Sequence, residues 1–392
     1  MFKVQVEQDF SFLSGEYRAL FADSQATAFQ APVWLEHLYS SRLLSDCRAE
    51  RLVVTVRNQS GRLLMVLPLV RRRPGALKVV EFVDFGVSDY GAPVCRREDI
   101  AVLVSNTAWR ARVMAALRPF DLLRLTKLSR DFLPLTEFLG ARSISHQEVS
   151  SYSVALDLDF PKWRLARMDG SLRKQLDKKR RQLARAGSVR FEVVEEHAGI
   201  ADVFAEMRDF RWERFHDGKD AMQNPAAFDF YLGVAKDGAG AAQARTYALW
   251  LDDDLIAAAF GLAHAGTFLV VLSGFDQRDS KRFSPGLLCM EDVIRDCIER
   301  GERHFDLTIG DEGYKKLFGA GTTPLSSSWA SGSAIGAAAG RALALPWVEK
   351  VVRRWAGGSW GMDSNHRPDG KQPSALPLSY PGSSPLPLPE HS

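Results

Sequence analysis

Cysteine is scarce in this sequence, and its placement argues against two common ways of stabilising a chain. The 392 residues include four cysteines, namely Cys47, Cys95, Cys289 and Cys297. They form no Cys-x-x-Cys pair, and no histidine stands beside them at the spacing of metal ligands. We therefore expect neither a disulfide framework nor a metal site, and the pattern indicates a reducing compartment.

Long apolar runs and a strong net charge are also missing. No stretch reaches the roughly 20 apolar residues of a membrane span, and the acidic residues near the N-terminus predict that no signal peptide is present. The net charge of +3 does not by itself indicate a nucleic-acid-binding protein. With 46% hydrophobic and 25% charged residues, the composition is that of a globular protein, and we expect a cytoplasmic location.

The sequence does contain two successive segments with a mixed α/β pattern. We predict a first domain over residues 1–150, a second over 151–330 and a helical extension over 331–361. In the second domain, apolar periodicity predicts a strand, two helices, three strands, a helix, a strand, a short helix and a last strand at 325–329. The three consecutive strands lie between residues 244 and 275 and read as an antiparallel meander.

The start of the helix after this meander has the features of an anion site. Ser284 is a suitable N-cap, Pro285 is a suitable first helical residue, and Gly286 permits close approach of a ligand or another backbone. The free N–H groups and the dipole of a helix start favour phosphate. An ordinary capped helix after a loop is the alternative interpretation.

The order of these elements, together with several short motifs, resembles the GNAT acetyltransferases. The motifs are most similar to those of the CelD-like (cellulose biosynthesis) group, which is distantly FemAB-like. They are Ala31-Pro-Val-Trp34, Leu67-Pro-Leu69, Ser88-Asp-Tyr-Gly-Ala-Pro93, Trp212-x-Arg-Phe215, Phe283-Ser-Pro-Gly286 and Gly310-Asp-Glu-x-Tyr-Lys315. The resemblance covers about residues 1–330. It implies an α/β (α+β) protein with tandem GNAT-like domains, each a mixed, mostly antiparallel sheet flanked by helices.

The resemblance also implies an acyl donor and its binding residues. In GNAT-type enzymes, the loop before the central helix binds the pyrophosphate of coenzyme A. This role falls here on the charges of Lys281 and Arg282 and on the backbone at Ser284, Gly286 and Leu287. Acyl-CoA, with acetyl-CoA foremost, is the implied co-substrate. Because a serine-proline pair replaces the usual second glycine, a different donor or a solvated basic loop remains an alternative.

Acylation requires that donor and acceptor be held together, that a base remove a proton and that the oxyanion be stabilised. Asp276, Asp311 and Glu312 are candidate bases, and Tyr314 is a candidate proton donor to the leaving thiolate. Lys315 is a candidate binder of phosphate or of a substrate anion. Asp311 and Glu312 would equally suit the first turn of a helix.

Several further residues allow more than one interpretation. Trp212 and Arg214 lie in a region that borders the acceptor groove of the relatives, so Trp212 stacks on a substrate or packs in the core. His264 is expected in the core or at its edge, and His304 at the surface. A helix over 171–186 carries seven Lys or Arg residues and one Asp. One interpretation of this helix is a surface that binds nucleic acid or a membrane. The other is a solvated basic face, and the lack of interleaved aromatic residues weakens the case for binding single-stranded nucleic acid.

The C-terminal part differs in composition from the rest. Glycines at 332, 336 and 340 predict a short, loosely amphipathic helix with, at most, a weak membrane-surface contact. Beyond it, 363–365 and 375–380 correspond to the translated complement of the T-loop and the D arm of a tRNA gene. We therefore predict that residues 362–392 are disordered and arise from frame read-through over an antisense tRNA gene. A natural proline-rich tail is the alternative.

Three functions agree with these observations. The first is an N- or O-acyltransferase that moves an acyl group from acyl-CoA to an amine or hydroxyl of a small molecule or saccharide, in polysaccharide or cell-envelope biosynthesis. The second is a FemAB-like aminoacyl transferase that uses aminoacyl-tRNA. The third is a non-catalytic accessory protein of polysaccharide synthesis. The sequence specifies neither the acceptor nor the oligomeric state.

Overall fold

The computed structural model describes residues 2–106, 109–144, 149–216, 220–240 and 243–343. Elements of the first segment are β1 (Lys3–Glu7), α1 (Gly15–Ala22), α2 (Pro32–Ser40), α3 (Arg42–Asp46), β2 (Glu50–Arg57), β3 (Leu63–Arg72), β4 (Val79–Phe82), β5 (Val94–Cys95), α4 (Arg97–Ser105), α5 (Arg110–Ala116), β6 (Leu122–Leu128), α6 (Leu133–Phe138) and β7 (Arg142–Ile144). The predicted tail over 362–392, and the extension beyond residue 343, lie outside the described residues.

The second segment contains the elements that form the candidate site. They are β8 (Ser150–Ala155), α7 (Phe160–Arg167), α8 (Gly170–Ala186), β9 (Val189–Val194), α9 (His197–Phe215), α10 (Pro225–Ala239), β10 (Ala244–Leu251), β11 (Asp254–His264), β12 (Thr267–Phe275), α11 (Pro285–Glu299), β13 (His304–Ile309), α12 (Gly313–Leu317), β14 (Gly321–Pro324), β15 (Ser326–Ser331) and α13 (Ala334–Leu343). The order predicted from the apolar periodicity is present.

Two sheets organise the described residues. One has the order β1-β2-β3-β4-β6-β15-β7 with β5 beside β3, and the other has the order β14-β8-β13-β12-β11-β10-β9. Within the described ranges, the only parallel contact of the first sheet is that of β4 with β6, and the only one of the second is that of β12 with β13. The predicted fold class, two mixed and mostly antiparallel sheets flanked by helices, is confirmed.

One strand of the second segment joins the first sheet. β15 pairs with β6 and β7 of the first sheet, with Ser331 opposite Leu122. β8, which follows the first segment directly, lies between β13 and β14 in the second sheet. The expected last strand at 325–329 therefore exists, and its partners lie in the first sheet. Strand partners depend on tertiary packing, which an apolar pattern does not specify.

The helix α11 packs its apolar face on the second sheet. Leu288, Val293, Ile294 and Cys297 are fully buried, and the buried Cys289 confirms that both thiols of this helix belong to the core. A Cβ atom added at Gly286 would lie 2.5 Å from the ring of Phe275. Glycine at this position therefore lets the first turn of α11 approach the end of β12.

The helix α13 lies within the helical extension predicted over 331–361, of which residues 344–361 are outside the described residues. Cβ atoms added at Gly336 and Gly340 would lie 1.6 Å from the carbonyl oxygen of Asp121 and 2.2 Å from the ring of Trp329. This glycine face is thus packed on the first sheet, and membrane-surface contact stays a prediction. No helix in the described part of the chain is long and apolar enough to cross a bilayer.

The basic helix α8 begins at Gly170, one residue earlier than predicted. Its N-cap is Asp169, whose carboxylate accepts hydrogen bonds from the N–H groups of Ser171 and Leu172. Arg180 forms ion pairs with Glu291 and Asp292 of α11. Part of the basic charge therefore holds α8 against α11, while Lys174, Lys178, Arg181 and Arg185 are exposed.

Candidate active-site cleft

The cleft forms where two parallel strands separate. β12 and β13 pair at three positions, from Thr267 opposite His304 to Leu269 opposite Asp306. Beyond this point a small cleft with a cavity volume of about 30 Å³, partly open to solvent, lies between residues 270–273 of β12 and 307–308 of β13. Thr308 has a φ of 59° and Gly310 a φ of 110°. These left-handed conformations interrupt the extended course of β13 and turn the chain at its end.

Two groups of side chains form the walls of the cleft. Arg211, Arg214 and Phe215, from the last turn of α9, lie on one side, and Glu312, Tyr314 and Lys315 lie on the other. The helix ends because His216 adopts a left-handed conformation with a φ of 49°. The end of α9 is thereby held beside β12.

Arg211 is fully engaged within the protein. Its Nε lies 3.0 Å from each carboxylate oxygen of Asp220, and its Nη1 donates to the carbonyl oxygen of Ser273 at 2.9 Å. The side chain is 4% exposed. Arg211 therefore ties α9 to β12 and has its charge balanced by Asp220.

Lys315 is likewise engaged and almost completely buried. Its Nζ donates to the carbonyl oxygens of Ile309 and Gly310 at 2.7 and 3.1 Å, and lies 2.8 Å from Oε2 of Glu312. The ammonium is held by two hydrogen bonds and one ion pair. Lys315 thus positions the loop after β13 and the carboxylate of Glu312, and the predicted contact with a substrate anion would need one of these bonds to break.

Arg214 and Tyr314 differ from these residues. Among the described residues, neither the guanidinium of Arg214 nor the hydroxyl of Tyr314 has a hydrogen-bond or ion-pair partner. Burial lowers the pKa of Arg214, although an arginine stays protonated in proteins. Burial, with the nearby charge of Glu312, raises the pKa of Tyr314. Both groups therefore keep their protons and can donate hydrogen bonds into the cleft.

The predicted donor-binding loop lies at the start of α11. Ser284 has a φ of 56° and its side chain makes no capping bond, while its carbonyl oxygen accepts from the N–H groups of Leu287 and Leu288. The N–H of Gly286 has no backbone partner among the described residues. Lys281 and Arg282 are exposed. The loop thus offers one amide, one hydroxyl and two cations, while the side chain of Leu287 is buried.

One aromatic ring connects this loop with the cleft. Phe275 contacts the position of Gly286 on α11. The guanidinium of Arg214 lies 5.7 Å from the centroid of the same ring and 5.0 Å from that of Phe215. The start of α11 and the α9 wall of the cleft are therefore adjacent.

Three predicted residues lie apart from the cleft. Asp276 accepts from the N–H groups of Arg278 and Ser280 at 2.8 and 2.6 Å, which shapes the turn before α11. Asp311 is exposed and accepts from the hydroxyl of Tyr152 at 2.6 Å. Trp212 is 49% exposed and does not line the cleft. The structure thus gathers Arg214, Glu312, Tyr314 and Lys315 but not these three.

The first segment contributes a buried acidic group beside the cleft, which sequence reasoning missed. The hydroxyl of Tyr90 donates to the carboxylate of Asp306 and lies 2.9 Å from both of its oxygens, and Oδ1 of Asp306 also accepts from the N–H of Thr308 at 2.7 Å. Burial raises the pKa of Asp89 and of Asp306 to about 6. The motif Ser88-Asp-Tyr-Gly-Ala-Pro93 was the signal that marked this loop.

The two histidines considered from the sequence lie as expected. His264 stacks on Phe21 with 3.9 Å between the ring centroids, and burial lowers its pKa to about 4. His304 is exposed. Within the described ranges, no group of three or more His, Cys, Asp or Glu side chains is placed to hold a metal ion.

Comparisons with known proteins agree with this geometry. Residues 170–316, which include β12, α11, β13 and α12, match the family described as acetyltransferase (GNAT) domain. No curated protein matches the chain by sequence.

Several solved structures share the fold at low sequence identity. FemX is 11% identical, covers 83% of this chain and 96% of its own, and has a TM-score of 0.56. L-PGS from Bacillus licheniformis is 13% identical, the match covers 88% of this chain and 99% of the L-PGS chain, and the TM-score is 0.52. The C-terminal domain of a putative lysylphosphatidylglycerol synthetase from Agrobacterium fabrum is 17% identical. The match covers 81% of this chain and 92% of that domain, with a TM-score of 0.51. At these identities the likeness concerns the fold alone.

Proposed function

We propose that this chain is an acyltransferase that moves an acyl group from acyl-CoA, with acetyl-CoA foremost, to an amine or hydroxyl. The observation that carries the proposal is the separation of β12 from β13 after Leu269, beside the start of α11. Where parallel strands part, their backbone N–H and C=O groups are available to an extended amide-containing ligand such as the pantetheine arm. The matching family over residues 170–316 supports this assignment.

The donor would lie along the cleft with its pyrophosphate at the start of α11. The N–H of Gly286 and the hydroxyl of Ser284 would donate to phosphate oxygens, and the exposed Lys281 and Arg282 would balance their charge. The acyl thioester would then lie near Glu312 and Tyr314.

Two side chains in the cleft suit the proton transfers of acylation. Glu312 would accept the proton that the acceptor amine or hydroxyl loses when it attacks the thioester carbon. Tyr314, which burial keeps protonated, would donate its proton to the thiolate that leaves. Lys315 would hold Glu312 in position throughout, because its ammonium is fixed by two carbonyl oxygens.

The setting of the reaction is proposed from the sequence motifs. The resemblance to the CelD-like group supports a saccharide or small-molecule acceptor, a role in polysaccharide or cell-envelope biosynthesis and a cytoplasmic location. A non-catalytic accessory protein would bind no acyl donor in the cleft. A measurement of donor binding therefore distinguishes this role from that of an acyltransferase.

Thermal-shift titration with acetyl-CoA and longer acyl-CoAs tests the proposal. Ser273 lines the cleft, so Ser273→Trp should fill it and abolish the rise in melting temperature that acyl-CoA produces in the unmodified protein. The matched control is Thr322→Trp on the exposed strand β14, which should keep the full shift. Absence of any shift with every acyl-CoA, or an equal shift in the Ser273→Trp protein, would contradict the proposal.

A second candidate, transfer from aminoacyl-tRNA, is favoured by one feature of α8. Lys174, Lys178, Arg181 and Arg185 are exposed at helical spacing, and none pairs with an acid among the described residues. A row of cations on one helix face attracts a polyanion. Retention of labelled tRNA on filters should fall in the double variant Lys178→Glu/Arg181→Glu if this candidate is correct. Arg180 is unsuitable for this test because Glu291 and Asp292 bind it.

A further inference from the structure

The cleft contains two arginines one helical turn apart, of which one is paired within the protein and the other is not. Arg211 is bound by Asp220 and by the carbonyl oxygen of Ser273. Arg214 faces the same cleft without a hydrogen bond or ion pair to any described residue. Arg214 is only partly buried, so its uncommitted N–H groups stay accessible from the cleft, and the contrast with Arg211 points to a ligand at Arg214.

The charge balance of the cleft agrees with this. Of the cations that line the cleft, Arg211 is balanced by Asp220, and Lys315 is balanced by Glu312 at 2.8 Å. Arg214 remains as the one lining cation that the described acids do not pair. The cleft therefore favours a ligand that brings about one negative charge to this position.

The guanidinium is also held in a fixed orientation. It lies over the rings of Phe215 and Phe275, at 5.0 and 5.7 Å from their centroids. Contact with aromatic rings restricts the planar fork without using its N–H groups as conventional hydrogen-bond donors. Such a fork matches the two oxygen atoms of a carboxylate or phosphate.

We propose that Arg214 anchors a carboxylate or phosphate group of the substrate that occupies the cleft. The anchor is close to the reacting centre, because Phe275 joins it to Gly286 and Tyr314 faces it. The proposal rests on the proposed function for the identity of the donor. The anionic group belongs either to the phosphates of coenzyme A or to an acidic acceptor.

Binding measurements at constant ionic strength distinguish these sources. The probes are coenzyme A, phosphate-free pantetheine, inorganic phosphate and acetate, titrated by calorimetry into the unmodified protein, Arg214→Gln and Arg214→Lys. Arg208→Gln is the matched control, since Arg208 lies on the same helix outside the cleft. Unchanged far-ultraviolet circular dichroism and melting temperature establish that each variant is folded.

The expected result is a loss of roughly tenfold to a hundredfold in affinity for at least one anionic probe in Arg214→Gln, with partial recovery in Arg214→Lys and none lost in Arg208→Gln. A loss for coenzyme A without one for pantetheine assigns the anion to the donor. A loss for phosphate or acetate with unchanged coenzyme A binding assigns it to the acceptor.

Two results overturn the anchor. One is equal affinity of the unmodified protein and Arg214→Gln for every anionic probe, and the other is no binding of any anion by the unmodified protein. If coenzyme A binds equally to both proteins, the anchor for the donor fails while the proposed function stands. If coenzyme A does not bind but a small anion binds through Arg214, the anchor stands and the acyl-CoA donor fails.

Discussion

The guanidinium of Arg214 lies over the ring of Phe275, 5.7 Å from its centroid. The same ring contacts the site of Gly286 at the start of α11. The loop that resembles a coenzyme A cradle and the cleft that opens between β12 and β13 are thereby joined by one side chain. A change at either end is expected to affect the other through the position of Phe275.

Lys315 should contribute strongly to the stability of the protein, whereas the adjacent Lys316 should not. Lys315→Met removes an ammonium that is 2% exposed and bound to Ile309, Gly310 and Glu312. The carbonyl oxygens and the carboxylate would be left unpaired, so we expect the free energy of unfolding to fall by about 3 kcal/mol in urea titrations. Lys316 is 63% exposed with its nearest acid at 3.8 Å, and Lys316→Met should change stability by less than about 0.5 kcal/mol. Equal effects would contradict the assignment.

Much of this could be predicted from the sequence, and the reasons for the failures are specific. The helix α11 and the strands around it follow from apolar periodicity and from signals such as Pro285 and Gly301. The exchange of β15 into the first sheet could not be predicted, because Trp329 suits either sheet equally. Arg211 and Arg214 cannot be told apart in sequence, since only the turn at His216 returns Asp220 to one of them.

The acidic group beside the cleft should give stability a definite pH dependence. The pKa of Asp89 is about 6 in the folded protein, raised by burial, against 3.8 ordinarily. The folded state therefore binds the proton more tightly than the unfolded state, and stability falls as pH rises from about 4 through 6. In Asp89→Asn this fall is absent, so the variant should gain up to about 3 kcal/mol relative to the unmodified protein between pH 4 and 7.5.

Chemical denaturation at several pH values measures this difference. The groups that face Asp89 are Lys127, Thr308, Asp84 and Lys315, and all remain in the variant. A difference between the two proteins that stays constant with pH, or that changes in the opposite direction, would show that Asp89 ionises without restraint.

The packing of the glycine face of α13 is tested by the direction in which Gly336→Ala changes the melting temperature. Alanine is a better helix former than glycine by about 1 kcal/mol, so Gly336→Ala would stabilise a helix whose face is open. Here the added Cβ would lie 1.6 Å from the carbonyl oxygen of Asp121. We therefore expect a lower melting temperature in Gly336→Ala. A higher one would show that this face does not pack on the first sheet.

Hydrogen exchange measured by mass spectrometry tests the central claim, that the donor lies where β12 and β13 part. The protein is compared with and without saturating acetyl-CoA. We predict slower exchange of the amides at 270–273 and 307–309 and at Gly286, with β2 and β3 of the first sheet unchanged. No protection in these segments, or protection confined to the exposed face of α8, would contradict the account.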